Sequence, residues 1–561
     1  MWSLAVLLVS GLPALAAAPH PVWSTSWMLA TPNRHATDAG ALMLEQGGSA
    51  VDAAVAAGFV LGVVEMYSSG IGGGGFLLHY DGTSHAVTAL DGRESAPAAA
   101  TSDMFLDPLT REPRPELSFD GALAVAVPGE VALFYRANQD WGKLSWSTVL
   151  QPAIQLAADG FLIDLTWVQR LEDNREKLLQ HPGTRALFFH QDSTLLGLGE
   201  LLVQPELAVT LRLLADRGPD YFYYGEFAAT LDSWMWENGG LVRAADLAGY
   251  TVRLMEPVTG SYRGCTVYSM PPPSSGGVHL IQMLNYLEEF DLAQLGLLSS
   301  RYIHTVASAM GYAYADRSLW LGDPAFFPVP VEGLTSKGYA ATQRERYSRV
   351  QRERLPGAGD PLPWQEGEHT SHISVVDGEG NAVSMTCTIN TRFGSGVILP
   401  GTGVLLNNEM DDFSMQPGVP NYYGLIGSEA NSIQPGKRPL SSMTPTIITR
   451  DDRLQLVIGS PGGAKIITTV LQTIINTIDF EMDIQAAIDA PRFHYQWRPD
   501  YIRLEPDLPD DVLWNLRQYG YQVYRTGHWS AAQGVWRDAA TGLLYGGSDS
   551  RVDGSARGNL P

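Results

Sequence analysis

The texture of the chain changes at Thr370. Before it, residues 351–369 are charged, rich in Pro and Gly, and without hydrophobic period. From it the chain reads Thr370-Ser371-His372-Ile373-Ser374-Val375-Val376-Asp377, an alternation that buries one face in a sheet. A hydroxyl therefore stands where an exposed connection enters a strand, and any fold must deliver that connection to the mouth of a sheet. The placement also has a chemical meaning. A threonine hydroxyl is a weak nucleophile that needs a base, and a cut before Thr370 would free an α-amine to serve as one. Such an amine titrates near ~8, so a useful fraction is neutral at physiological pH. The local string alone leaves open the plainer alternative of a threonine that only opens a strand.

The rest of the chain supplies layers for that sheet. Met43 to Val63 reads as helices around Gln46-Gly47-Gly48-Ser49-Ala50, with Ser49 or Asp52 placed to cap the second. Ser68-Ser69-Gly70-Ile71-Gly72-Gly73-Gly74-Gly75-Phe76 leads into a strand over 76–80, and Asp81-Gly82 turns it towards another over 86–90. Helical periodicity dominates from Val131 to Trp320, including 144–158, 207–214 and 278–287, with a strand pair expected near 250–254 and 265–269. After Thr370, a hairpin turn at Asp377-Gly378-Glu379-Gly380-Asn381 precedes a strand over 382–389, and Val404-Leu405-Leu406 reads as a third strand. A hairpin across Asp451-Asp452 joins 446–449 to 454–459, and a helix follows over 464–477. Strands with helices packed on them predict an α/β layered body.

Composition narrows the function classes. The chain has 561 residues, 45% hydrophobic and 17% charged, enough for a sizeable core in several domains or one composite fold. A net charge of −23 and a pI of about 4.9 argue against nucleic acid or anionic membrane as partners. Cys265 and Cys387 each sit beside a strand-like run and read as buried free thiols; a disulfide is not signalled. No C-x-x-C or H-E-x-x-H pattern occurs, so neither a metal site nor another cofactor is expected. Leu4 to Leu15 is apolar and Ala16-Ala17-Ala18 offers a small-residue cleavage site, which predicts a secretory signal over 1–18 despite the lack of an early Lys or Arg. That run is too short to span a membrane, and no later segment reaches ~20 uninterrupted apolar residues.

Several motifs occur in one order: Gly70-Ile71-Gly72-Gly73-Gly74-Gly75-Phe76, Leu90-Asp91-Gly92-Arg93-Glu94-Ser95-Ala96-Pro97, Val127-Pro128-Gly129, Thr370-Ser371-His372, Asn407-Asn408-Glu409-Met410-Asp411-Asp412-Phe413-Ser414, Pro439-Leu440-Ser441-Ser442-Met443 and Gly459-Ser460-Pro461-Gly462-Gly463. Together, from about Leu42 to Asp549, they resemble a bacterial γ-glutamyltransferase of the N-terminal-nucleophile (Ntn) hydrolase superfamily. The resemblance implies a four-layer αββα sandwich built from two chains after self-cleavage between His369 and Thr370. Residues 19–369 would form a large subunit and 370–561 a small one, paired as a heterodimer. It also implies export to the periplasm or medium, glutathione and other γ-glutamyl compounds as substrates, and water, amino acids or peptides as acceptors.

Residue by residue, Thr370 matches the nucleophile and Thr388 a second threonine that positions it. Gly462 and Gly463 match the turn whose N–H groups hold the oxyanion, a job for which backbone without a Cβ is suited. Arg93, Ser441 and Ser442 match the ligands of the substrate α-carboxylate, and a guanidinium suits such a clamp. Asn390, Glu409 and Asp412 match those of the α-ammonium. Strand alternation would put Thr388 and Asn390 on one face, and Cys387 on the other. Tyr423, in Pro417-Gly418-Val419-Pro420-Asn421-Tyr422-Tyr423-Gly424-Leu425-Ile426-Gly427, matches the aromatic residue of a lid over the glutamyl pocket. Without the resemblance, Arg93 reads as a surface ion pair with Asp91 or Glu94, Asp411-Asp412 as a solvated turn, and the lid as an ordinary loop. Two rivals stand beside this reading: a glutaryl-cephalosporin acylase-like amidase, and an unprocessed binding protein.

Overall fold

The computed structural model describes residues 20–353, 370–419, 421 and 424–559. The expected signal segment, His369 with most of the connection before it, and Tyr423 lie outside the described residues.

Around Thr370 the alternation works as expected. Strand Ser371–Val376 pairs antiparallel with Ala382–Thr388 across the predicted hairpin. Ile373 and Val375 join Val383, Met385 and Cys387 on one face, in a single apolar cluster with helix Ala50–Val64. That helix is Ala/Val-rich on all sides and buried along almost its whole length, as expected of an interior helix. Ser49 caps it, and Asp52 completes a capping box with the Ser49 backbone.

The opposite face of the hairpin meets a second sheet, and here the contact is polar. Ser374 Oγ donates to the Gln533 carbonyl at 3.0 Å, and Ser384 Oγ to the Ile458 carbonyl at 3.1 Å. His372 bonds Thr386 Oγ1 through Nδ1 at 2.8 Å and Ser374 Oγ through Nε2 at 3.1 Å. Burial pushes the His372 imidazole down to about 3, so it is neutral. These bonds, the serine ones between the sheets and the His372 ones within its own, satisfy groups that would otherwise be desolvated without partners.

Each of the two sheets has seven strands. One runs Ser555–Gly558, Met28–Thr31, Ser371–Val376, Ala382–Thr388, Gly74–Tyr80, Val87–Gly92, Arg253–Met255; every pairing in it is antiparallel. The other runs Val22–Ser24, Leu544–Ser548, Gln533–Arg537, Arg453–Gly459, Thr446–Arg450, Cys265–Ser269, Val258–Tyr262, again antiparallel. Helices Ala50–Val64 and Glu130–Trp141 cover the outer face of the first, and Gly276–Leu287 and Ile466–Ile478 that of the second. The result is the expected four-layer αββα sandwich. Both sheets interleave strands from before and after Thr370.

Two expectations about strands fail. Arg253–Met255 and Cys265–Ser269 are not a pair; each has joined a different sheet, and Val258–Tyr262 is the hairpin partner of the latter. Local pattern could not distinguish the two, because the chain crosses between layers in the Glu256-Pro257 step. Val404–Leu405 is not a third strand of the main sheet but pairs with Ile398–Leu399 in a separate ribbon. The hairpin at Asp451-Asp452 is present, both residues having positive φ (50° and 61°), as a tight turn between twisted strands demands. Both cysteines are buried and free. No helix among the described residues is long and apolar enough to cross a membrane.

Gly459 tests the contact between sheets. A Cβ there would sit 2.2 Å from Cε1 of His372, a ring already held at both nitrogens. Overpacking of this kind costs about 1–3 kcal/mol, so Gly459→Ala is expected to lower the denaturant midpoint of unfolding measured by circular dichroism.

Candidate active site

Thr370 lies directly before strand Ser371–Val376 and is 8% exposed. Strand Arg453–Gly459 of the facing sheet ends close by, and the turn after it points its backbone at the threonine. The Gly462 N–H donates to Thr370 Oγ1 at 3.1 Å. Gly462 and Gly463 have φ of 137° and 53°, and a Cβ on Gly462 would lie 2.2 Å from Ser530 Oγ. Both backbone conformation and space therefore call for glycine. The turn continues through Gly463–Lys465 into helix Ile466–Ile478. Amides at such a helix start have no partner within the helix and are free to serve a ligand.

Thr370 opens into a cavity of about 310 Å³ that gathers nearly every described residue expected at the site: Arg93, Thr388, Asn390, Glu409, Asp412, Ser441, Ser442 and Gly463 line it. Gly462 touches it through its bond to Thr370. These groups come from both sides of residue 370 and from both sheets. Thr388 ends the strand that pairs with Ser371–Val376. Arg93 follows strand Val87–Gly92. Ser441 and Ser442 lie against the Pro273-Ser274-Ser275 turn, where the Ser441 N–H donates to the Pro273 carbonyl at 2.8 Å.

Electrostatics centre on Arg93, which is 1% exposed and so not a surface residue. Its guanidinium contacts the carboxylates of Glu409 and Asp412 directly, and Glu94 at 3.7 Å. Burial alone would make the guanidinium less basic, but Glu409 and Asp412 more than offset this and hold it above its ordinary range. Burial pushes Glu94 up to about 7 and Glu409 well above the usual carboxylate range, against the pull of Arg93. Glu94 and Glu409 are in contact, and their titrations belong to the pair. The cationic and anionic poles expected of the pocket thus touch each other. Asp412 stands in a turn packed against the core rather than a solvated one, and the Asn421 amide reaches its Oδ1 at 3.4 Å.

Thr388 and Asn390 do not share a strand face. The strand ends at Thr388, Asn390 turns to φ 71°, and its N–H donates to Thr388 Oγ1 at 2.9 Å. The reversal still delivers both side chains to the cavity. Cys387 points to the opposite, apolar face, as alternation requires. From the segment expected to form a lid, Leu425 lines the cavity, and the Gly418 N–H donates to the Gly427 carbonyl at 2.9 Å.

Arg317 was not expected here. It lines the cavity, donates from Nε to Ser275 Oγ at 3.0 Å and from a terminal nitrogen to Ser442 Oγ at 3.3 Å, and burial lowers it to about 10. It thereby fixes the serine beside the pocket and adds a second cation. A signal existed: in helix Ser300–Trp320, Arg317 continues the apolar stripe of Val306, Met310 and Ala313. Charge on a buried stripe marks a site. Glu94, read only as a surface partner of Arg93, is fully buried.

Two sheets with a threonine at the mouth of the central hairpin, facing a glycine turn, define the Ntn-hydrolase class of enzyme. The Gamma-glutamyltranspeptidase family model matches residues 36–559. A glutathione hydrolase proenzyme of Escherichia coli (strain K12) is 44% identical over 95% of this chain and 91% of its own. Among solved structures, a cephalosporin acylase from Bacillus halodurans aligns with TM-score 0.85 and 28% identity, over 99% of this chain and 100% of that one. The gamma-glutamyltranspeptidase of Helicobacter pylori aligns with TM-score 0.54 and 43% identity, over 55% of this chain and 88% of that chain. The chain belongs to the gamma-glutamyltranspeptidase family and is an enzyme.

Removing the central cation leaves Glu409 and Asp412 buried without their partner. Breaking a buried pair from one side costs about 3–5 kcal/mol. Arg93→Met is therefore expected to be destabilised on that scale in urea unfolding.

Proposed function

We propose that this enzyme cleaves the γ-glutamyl amide bond of glutathione and related compounds through an ester on Thr370. The observation that carries the reading is the pocket beside Thr370, which offers a guanidinium and two serine hydroxyls next to two carboxylates and an amide. A γ-glutamyl group ends in one carboxylate and one ammonium on the same carbon. Arg93, Ser441 and Ser442 take the first, and Asn390, Glu409 and Asp412 the second. Substrate then replaces the direct contacts of Arg93 with Glu409 and Asp412 by contacts of the same sign pattern.

The chemistry begins with self-cleavage. The Thr370 hydroxyl attacks the His369 carbonyl, the peptide becomes an ester, and water opens it to leave Thr370 as an N-terminus. The new α-amine then takes the Oγ proton as Oγ attacks the substrate γ-carbonyl. Negative charge develops on the carbonyl oxygen, and the Gly462 and Gly463 amides stabilise it; one such donor is typically worth ~10²–10³ in rate. The C–N bond breaks, and the ammonium returns its proton to the leaving nitrogen. Water or an acceptor amine attacks the ester and releases Thr370. Thr388 positions the nucleophile, and the segment with Tyr423 covers the acyl group. The large and small subunits, 19–369 and 370–561, remain paired, and the segment 1–18 directs export.

N-terminal sequencing of the purified protein tests the route: the small fragment should begin at Thr370. Thr370→Ala should remain a single chain, of at most 60.9 kDa, on a denaturing gel. A fragment starting elsewhere, or a cleaved Ala variant, refutes the mechanism.

The likeness to a cephalosporin acylase keeps one rival in view. A glutaryl group has no α-ammonium, so the retained Asn390, Glu409 and Asp412 favour the γ-glutamyl substrate. γ-Glutamyl anilide should be cleaved faster than glutaryl anilide, and Asp412→Asn should narrow the gap by raising KM for the former at least about tenfold, the cost of one charge-assisted hydrogen bond. Faster release from the glutaryl compound sinks this reading.

A further inference from the structure

Thr370 faces a second cavity, of about 560 Å³, which shares no other lining residue with the first. Glu65 lines it. This carboxyl is 7% exposed and follows the last residue of helix Ala50–Val64, where the helix dipole presents its negative end. Ser371, the residue after Thr370, donates its hydroxyl to Glu65 Oε2 at 2.8 Å. Among the described residues no cation lies within ion-pair distance of Glu65. The charged and titratable groups sharing its cavity are Tyr67, Asp164, Arg170 and Asp553, the last facing Arg34 at 3.8 Å. Burial pushes Glu65 up to about 7, and Asp164 adds to this, while the Ser371 bond and Arg170 pull the other way.

A buried carboxylate at the negative end of a helix, without a counter-cation, is an incomplete arrangement. The proposed reaction supplies the missing charge. Cutting before Thr370 creates an amine on the residue adjoining Ser371, and that amine becomes an ammonium whenever it accepts the Oγ proton. We infer that Glu65, tied to the chain by Ser371, is a positioning residue that acts as counter-charge to the Thr370 α-ammonium. The inference rests on the self-cleaving reading above. No proton is gained or lost at Glu65 in turnover: the proton moves from Oγ to the amine and on to the leaving nitrogen, and the carboxylate stabilises the intermediate cation.

The sign of the effect follows. A nearby carboxylate favours the charged amine and raises its pKa. The neutral amine is the active base, so it governs the acid limb of kcat/KM against pH. Glu65→Gln keeps an acceptor for the Ser371 hydroxyl but removes the charge. It should self-cleave, lose rate, and show its acid limb moved to lower pH by on the order of one unit. Glu65→Asp should bring the limb back towards the wild-type position. The assay uses the cleaved enzyme and a γ-glutamyl anilide. A limb that does not move in Glu65→Gln, or a Glu65→Gln chain that stays uncleaved, overturns the proposal. Acetic anhydride labelling of the Thr370 amine against pH gives the same shift without a substrate. A wild type that is cleaved at Thr370 but inactive on the anilide therefore refutes the substrate reading while this one is still decided by the labelling.

Discussion

One buried guanidinium organises the pocket. Arg93 stands between Glu409, Asp412 and Glu94, all with little or no exposure. Charges taken out of water are costly, and their mutual attraction restores that cost only where the geometry is good. The protein meets the condition by anchoring the Arg93 backbone at both its N–H and its carbonyl. Its N–H donates to Asp91 Oδ1 at 2.9 Å, and its carbonyl accepts from the Tyr250 hydroxyl at 2.7 Å. Asp91 is itself ion-paired at 2.6 Å to Arg438, which leads directly into Pro439 and the two serines. The strand that ends at Gly92 and the loop that carries Ser441 and Ser442 are thus locked through one chain of charges. Groups of opposite sign thus lie only a few ångströms apart in the pocket, and this chain of charges sets their spacing.

The placing of Thr370 depends on a different contact, between the sheets. Hydroxyls and carbonyls exchanged across the interface hold strand Ser371–Val376 over strand Arg453–Gly459, and His372 fills the space that Gly459 leaves. This fixes where the glycine turn emerges relative to Thr370. The arrangement is held because Ser374 and Ser384 bond backbone carbonyls of the facing sheet while His372 is fixed at both ring nitrogens within its own. A loose apolar contact would tolerate sliding, and the 3.1 Å bond from Gly462 to Thr370 would not survive it.

Much of this was legible in the residues. Alternation placed Ile373, Val375 and Cys387 on the apolar face, Ser49 and Asp52 marked the start of a helix, and Asp451-Asp452 marked a hairpin. Such features depend on neighbours in sequence. The polar pocket was legible only through the resemblance, because Arg93, Glu409, Asp412 and Ser441 are far apart in the chain and each is ordinary alone. The errors share a cause. Arg253–Met255 and Cys265–Ser269 were paired on proximity, yet the chain changes layers between them. Thr388 and Asn390 were assigned one face by period, yet the strand ends first. Arg317 and Glu65 escaped notice because charge on a buried surface shows only when the tertiary neighbours are known.

The interleaving of the sheets has a bearing on what holds the enzyme together. Strand Ser371–Val376 is hydrogen-bonded on one side to Met28–Thr31, and its hairpin partner to Gly74–Tyr80. Ser555–Gly558, from the far end of the chain, pairs with Met28–Thr31 on its other edge. Once the bond before Thr370 is cut, as proposed, the two pieces share both sheets rather than one interface. Dilution then has nothing to separate, since parting them means dismantling the sheets' backbone ladders. Specific activity would be independent of concentration, and a damaged piece could not be exchanged for a fresh one: each molecule keeps for life the partner with which it was synthesised.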